Sequence, residues 1–262
     1  MAIHGIETEA NSKGYKVIIC LSNDSREKES ESIKTLINGS VDGLIISLSK
    51  ETQITGDYGH FEEALKYNFP IVLFDRTFDL LKCDKININD QLAAKETTEH
   101  LLKTGCQNII FLSTIYGTSV GEKRMMGYLD GLKNAGKHGS ILNIENYGSF
   151  EKLLLLQLQD IKVDGILAAD ELSAISTIKY AIKNSFKIPE DISVIGFNSG
   201  VLAENSIPSL TVVDQKAREQ GSIAVITLIN RLDKQIPIEP IQHILKTSLI
   251  QRQSTIPLYE AI

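Results

Sequence analysis

The sequence has no tryptophan, three cysteines and six prolines, and each shortage removes a class of protein. The cysteines, Cys20, Cys83 and Cys106, are odd in number and lie at no Cys-x-x-Cys spacing. That pattern suggests neither a disulfide framework nor a zinc knuckle, and it suits a reducing compartment. The longest apolar runs, such as residues 109–112, fall far below the roughly 20 residues that a spanning helix needs, so no membrane span is expected. Basic residues are also in deficit: 27 Lys and Arg against 33 Asp and Glu give a formal charge of -6. Holding a polyanion requires a basic face that releases counterions, so this chain alone is not expected to grip DNA. Residues 1–7 turn acidic at once, where a signal peptide would be basic and then apolar, and a cytoplasmic location is expected.

What is present is ordinary globular composition, 42% hydrophobic and 23% charged over 262 residues. A chain of this size buries roughly 73% of its unfolded surface, as one large domain or two lobes. Short β-branched runs at residues 16–21, 43–46, 71–74, 109–112, 166–168 and 194–197 read as buried parallel strands. Helical patterns lie between them, for instance residues 91–103 before Gly105 and 122–135 before Gly136, where glycine supplies a left-handed cap. The order is β-α-β-α throughout, an α/β class with parallel sheets. Val41-Asp42-Gly43-Leu44-Ile45 is echoed by Val163-Asp164-Gly165-Ile166-Leu167, and each leads through a helix to a second strand that ends in Asp75 or Asn198. Two similar Rossmann-like lobes are the simplest explanation. The second lobe opens with a strand at residues 109–113, whereas the first begins directly with a helix at residues 3–12, so a strand is expected upstream of Met1.

Gly117-Thr118-Ser119-Val120-Gly121 matches the G-x-S-x-G nucleophile elbow, and His243 with a preceding Asp would complete a hydrolase order. Five residues separate Leu112 from Gly117, however, while the elbow needs the strand to run straight into the turn, and no oxyanion segment of the HGGG type exists. A Gly/Ser-rich loop at a sheet edge is the preferred reading, with no catalytic residue assigned. The five histidines, at 4, 60, 100, 138 and 243, form no metal pair, and neither a phosphate-binding glycine loop nor any cofactor motif is present. Polar residues remain at the carboxyl ends of strands, where open parallel sheets bind ligands. These are Asp75 with Arg76, Asp90, Asp170 and Asn198. Each Asp is equally readable as a helix N-cap or a solvated loop acid, and Arg124 as a surface ion-pair partner. Asp42 and Asp164, each before Gly, read as structural turns.

Gly5-Ile6-Glu7, Gly14-Tyr15, Val41-Asp42-Gly43, Phe74-Asp75-Arg76, His100-Leu101-Leu102, Arg124-Met125-Met126-Gly127-Tyr128, the stretch from Ile188 to Phe197 and the stretch from Pro208 to Gln215 resemble, in that order, the effector-binding domain of LacI/GalR-type transcriptional regulators. The resemblance runs from Ile3 to about Pro257. It implies a periplasmic-binding-protein-like fold of type I, two lobes joined by three crossings near Gly105, Asp214 and Pro240. The N-terminal lobe would be 1–105 plus 215–239 and the C-terminal lobe 106–214 plus 240–262. It also implies a repressor-type homodimer that binds a small effector, often a sugar, between the lobes, and that meets operator DNA through an N-terminal helix-turn-helix headpiece not found in these residues. Closure of the lobes on effector would control operator binding.

By the same resemblance Arg124 clamps the effector, with Asp170, Asn198, Asp90, Gln215 and Asp75 as its companions. Two residues depart from the pattern: Ala169 stands where an Asn is frequent, and Asn198 where an acid usually accepts a sugar hydroxyl. Asn both donates and accepts, so sugar binding survives the change. The alternatives are an extracytoplasmic sugar-binding uptake protein of the same fold, and a serine hydrolase using Ser119. In the family's lobe the missing strand lies between the strands that correspond here to residues 16–21 and 41–46. One of three outcomes is therefore expected: a native strand upstream, another segment or chain in the slot, or a locally rearranged first sheet.

Overall fold

The computed structural model describes residues 1–39, 41–160 and 162–258. In chain order its elements are α1 (Ala2–Ser12), α2 (Arg26–Ile37), β1 (Leu44–Ile46), α3 (Lys50–Thr55), α4 (Glu62–Lys66), β2 (Ile71–Phe74), β3 (Asp84–Ile88), α5 (Asp90–Lys103), β4 (Ile109–Ser113), α6 (Ser119–Asn134), β5 (Ser140–Asn143), α7 (Phe150–Asp160), β6 (Gly165–Ala168), α8 (Glu171–Lys183), β7 (Ser193–Phe197), α9 (Val201–Asn205), β8 (Thr211–Asp214), α10 (Ala217–Leu232), β9 (Gln242–Leu245) and β10 (Ser248–Ile250). A short 3-10 turn, Gly59–Phe61, precedes α4. Two compact units emerge. The first comprises Met1–Ile88, Gly117–Ser119 and Lys216–Lys246; the second comprises Asn89–Tyr116, Val120–Gln215 and the chain from Thr247 onward.

The second unit is built on a six-stranded sheet of order β10-β8-β7-β6-β4-β5, parallel except for β10. Every residue of β4, β6 and β7 is buried, as unbroken apolar runs covered by helices on both faces must be. Alternation divides them between two cores: Ile110, Leu112 and Ile166 pack with Leu154 and Ile178, while Ile109, Phe111 and Ile195 pack with Leu101, Tyr128 and Leu132. The second core fixes α6. Tyr128 is fully buried, its hydroxyl donates to the Ile109 carbonyl at 2.7 Å, and burial pushes its pKa up to about 12.

The first unit carries a four-stranded parallel sheet of order β1-β2-β3-β9. α1 lies against α10 so closely that a Cβ at Gly5 would stand 2.1 Å from the Arg218 carbonyl oxygen. On the sheet's other face Ile33 of α2 packs with Leu44, Phe61 and Leu73. One expected strand is corrected here. Residues 16–21 lie in no strand and are exposed, Leu21 to 70%, and β1 pairs only with β2. A buried strand needs backbone partners, and among the described residues this segment makes no backbone hydrogen bond. Direct pairing of residues 16–21 with 41–46, which would contradict the family strand order, is not found.

The division differs from the expected one: residues 89–105 and 215 fall in the second unit, and residues 117–119 and 240–246 in the first. α5 buries Ala93, Ala94 and Leu101 in the core of the second unit. β9 pairs with β3 through Lys85–Gln242 to Ile88–Leu245, so the chain stays in the first unit past Pro240, to Lys246. Residues 259–262 of the expected second lobe lie outside the described residues.

Candidate functional site

In the second unit the carboxyl ends of β4, β6, β7 and β8 present Thr114, Asp170, Asn198 and Gln215, each within two residues of its strand. Ala169, just past β6, and Phe197, the last residue of β7, complete the setting. α6 delivers Arg124 to this edge, and Gly127 is what allows it. A Cβ at Gly127 would stand 2.0 Å from the Gln91 carbonyl oxygen in the first turn of α5, so only glycine permits that approach. One turn earlier on α6, Arg124 therefore meets Asp90, the first residue of α5.

The Arg124 guanidinium is 2% exposed and almost fully engaged. Its Nε donates to Asp90 Oδ1 at 2.8 Å, Nη2 stands 2.7 Å from the same oxygen, Nη1 donates to the Ala169 carbonyl at 2.7 Å, and Nη2 donates to Gln215 Oε1 at 2.9 Å. Its plane lies over Phe197, 3.9 Å from the ring centroid. Such a cation has its position, rotamer and charge set in advance, and of five N–H groups it keeps one on Nη1 beyond these contacts. Asp90, 3% exposed, gains further support from the positive end of α5.

Asp170 and Asn198 do not touch Arg124; their chain neighbours Ala169 and Phe197 do. Asp170 caps α8, with Oδ1 accepting from Ser173 N at 2.8 Å and Oδ2 from the Thr114 and Ser173 hydroxyls at 2.8 Å each. Asn198 holds a positive φ of 82° and donates through Nδ2 to Glu171 Oε2 at 2.9 Å. Tyr147 joins this group: burial and the Asp170 charge raise its pKa, against a hydrogen bond with Thr114 that lowers it, so the phenol stays a donor at neutral pH. The edge thus offers a fixed cation, an aromatic face and a row of hydroxyl, amide and carboxylate groups. That is the chemistry that recognises a small polyhydroxylated molecule.

Asp75 lies in the first unit, at the end of β2 with φ 59°, its N–H bonded to the Ile86 carbonyl at 3.0 Å, and its neighbour Arg76 pairs with Asp24. Asp164 is a structural turn, as read: its carboxylate accepts from Gln107 N and Asn108 N. Ser119 opens α6 and is bracketed by the Gln53 carboxamide, Nε2 donating to Oγ at 3.0 Å and Oε1 accepting from Ser119 N at 3.1 Å. A carboxamide takes no proton from a hydroxyl, and His243 lies exposed on β9. Among the described residues no group of His, Cys, Asp and Glu could hold a metal ion, and no helix is long and apolar enough to cross a membrane. Sequence reasoning missed Thr114, Phe197 and Tyr147. Thr114 obeys the strand-end rule that found the others; Phe197 was hidden as core of a buried strand, and Tyr147 sits in a loop with no signal of its own.

Residues 98–255 match the sequence pattern of the periplasmic binding protein-like domain. The ribose operon repressor of Halalkalibacterium halodurans is 27% identical over 256 residues, 95% of this chain and 73% of that protein. A LacI family transcriptional regulator from Enterococcus faecium with bound ribose superimposes with a TM-score of 0.85 at 22% identity, covering 98% of this chain and 94% of that one. A periplasmic binding protein/LacI transcriptional regulator from Alkaliphilus metalliredigens, complexed with D-xylulofuranose, gives a TM-score of 0.84 at 22% identity over 98% and 93% of the two chains. At such identities the two superpositions establish the fold alone.

Proposed function

The chain belongs to the periplasmic binding protein-like domain family, and from that premise we propose that it is the effector-sensing domain of a LacI-type transcription repressor, binding a small sugar as its signal. The observation that carries the reading is the buried Arg124, held on Phe197 by Asp90, Gln215 and the Ala169 carbonyl at the ligand-binding edge of a parallel sheet. A guanidinium fixed in this way donates to a sugar hydroxyl oxygen without reorganising, while Asp170, Asn198, Thr114 and Tyr147 supply the alternating donors and acceptors that a polyol needs. The repressors and regulators to which the chain is similar, two of them with bound pentoses, point to the same ligand class.

In this reading the domain is a sensor and carries out no reaction, works in the cytoplasm as a homodimer, and controls operator binding through a separate DNA-binding headpiece. Asp75 belongs to the proposed ligand set only as a first-unit contributor. The effector moves operator binding by its differential affinity for two states, and a full switch from 1:99 to 99:1 needs about 5.5 kcal/mol.

Calorimetry with D-ribose, D-xylulose and a panel of further pentoses and hexoses tests the reading. One sugar is expected to bind. Arg124→Lys keeps the charge beside Asp90 but loses the planar fork, so affinity should fall at least about tenfold, since a charged hydrogen bond contributes about 1.5–3 kcal/mol. A folded protein that binds no sugar of the panel, or a folded Arg124→Lys variant with unchanged affinity, refutes it.

A further inference from the structure

The second unit contains a cavity of about 180 Å³ along α5, and none of the groups gathered round Arg124 lines it. At about 30 Å³ per molecule of liquid water it has room for about six waters, or for a solute of about seven heavy atoms. One wall is a single face of α5, where Glu96, Thr97, His100 and Lys103 recur at the spacing that puts side chains on one side of a helix. Facing it are Val213 of β8, the stretch 247–249 that leads into β10, and Leu258, and none of these residues is charged.

The polar groups of the helical wall divide by sign along its length. His100 Nε2 is buried and has no hydrogen-bond partner among the described residues, which a native interior rarely leaves so. Burial, and then the Lys103 charge, hold the pKa of His100 below its ordinary 6.5, so the ring is neutral at neutral pH and, protonated at Nε2, is a donor there. Lys103, one turn further on, adds an exposed cation on the same side. This end of the cavity suits an anion. The other end suits a cation. Glu96 brings a carboxylate, and the buried Thr97 hydroxyl already donates to the Ala93 carbonyl at 2.7 Å, so toward a newcomer its oxygen can only accept. Val213, Leu249 and Leu258 lie opposite and offer apolar contact to whatever joins the two ends.

The spacing between the ends sets the length of the occupant. Glu96 and Lys103 stand two turns apart on α5, a rise of about 10.5 Å. In an extended four-carbon ω-amino acid, four bonds of about 1.5 Å separate the ammonium nitrogen from the carboxyl carbon by about 5 Å. A charged hydrogen bond of about 2.8 Å at each end completes the bridge. A simple carboxylate would leave Glu96 facing its tail, and a simple amine would leave His100 Nε2 without a partner and set a second cation beside Lys103.

We propose that this cavity is a second ligand site, which binds a small ω-amino acid with its carboxylate on His100 and Lys103 and its ammonium on Glu96 and Thr97. The site is independent of sugar sensing and uses no group of the Arg124 network.

The probe is 4-aminobutyrate, with butyrate and butylamine as controls, added to the full chain at constant ionic strength and followed by calorimetry and by the imidazole resonances of the five histidines. Saturable binding in the millimolar range is expected of a solute of about seven heavy atoms, at least about fivefold tighter than that of either control. Saturation should move the titration of His100, and of no other histidine, to higher pH, because a carboxylate beside the ring favours its charged form. Glu96→Gln and Lys103→Met change exposed side chains and should leave the fold intact, and each should weaken binding about two- to fivefold, the range for exposed ion pairs. No saturable binding up to about 100 mM, equal binding of butyrate or butylamine, or an unmoved His100 titration overturns the proposal. So does unchanged affinity in both variants. Displacement of 4-aminobutyrate by a sugar that binds at Arg124 also overturns it, since it places the amino acid in the sugar site; a protein that binds no sugar leaves this test unaffected.

Discussion

Replacing Arg124 by Ala tests whether the candidate site is the buried ion-pair network described, because the cost follows from burial. Asp90 is 3% exposed and Arg124 2%. Removing one partner of a buried pair leaves an uncompensated charge, at a cost of about 3–5 kcal/mol. Asp90 is also the first residue of α5, where the helix end favours an anion by about 0.3–1 kcal/mol, so the lower end of that range, about 3 kcal/mol, is expected. For a chain of this length that lowers the thermal midpoint by about 6–12 °C, at about 2–4 °C per kcal/mol. Calorimetry and urea unfolding at neutral pH measure it.

The discriminating measurement is the double variant Arg124→Met with Asp90→Leu. Exchanging both charges for apolar groups of similar volume is often neutral or stabilising, so this variant should recover most of the loss while sugar binding stays abolished. A single-variant loss below about 1 kcal/mol, or a double variant no more stable than Arg124→Ala, would refute the claim that Arg124 and Asp90 sit out of water as a mutually dependent pair.

Gly127→Ala should destabilise the second unit by about 1–3 kcal/mol, since its Cβ would stand 2.0 Å from the Gln91 carbonyl and push α6 off α5; an unchanged urea midpoint would deny that close approach. Glu29 in the first unit predicts a pH effect. Burial raises its pKa, but hydrogen bonds from His60, Thr52 and Ser49 outweigh burial and leave it below its ordinary 4.5. A depressed carboxylate contributes stability that is present above the unfolded pKa and lost as pH falls through the folded one. Urea midpoints should therefore drop on acidification below about pH 4.5 in the native chain, and the Glu29→Gln variant should lack that part of the slope. Ser119→Ala should leave sugar affinity and any background esterase signal unchanged, and an activity lost on that substitution would restore the hydrolase reading.

Much of the fold was legible because buried parallel strands and glycine-capped helices write themselves locally. β2, β4, β6 and β7 fall within a residue of the apolar runs that announced them, and α5 and α6 end just before Gly105 and Gly136, both at positive φ. The site was legible at strand ends for the same reason: the position of Asp170 or Asn198 follows from the strand before it. The partners were not. Nothing local says that Arg124 rests on Phe197, because a residue that ends a buried strand and one that floors a ligand edge have the same sequence signature. Nor does the loop carrying Tyr147 contain a pattern that aims it at Asp170. The point at which the chain leaves the first unit was equally hidden, since β9 is a short run with exposed residues whose membership is decided by its pairing with β3.

Residues 16–21 show where local reading stops. Lys16-Val17-Ile18-Ile19-Cys20-Leu21 has as strong a strand composition as residues 109–113, yet one segment is exposed coil and the other is wholly buried. The difference lies outside the segment. β4 finds β6 and β5 on its two edges, whereas residues 16–21 face a cavity where the neighbour would be. Strand propensity is chiefly fitness for a half-buried pleated surface, and it has no effect until another backbone offers its hydrogen bonds.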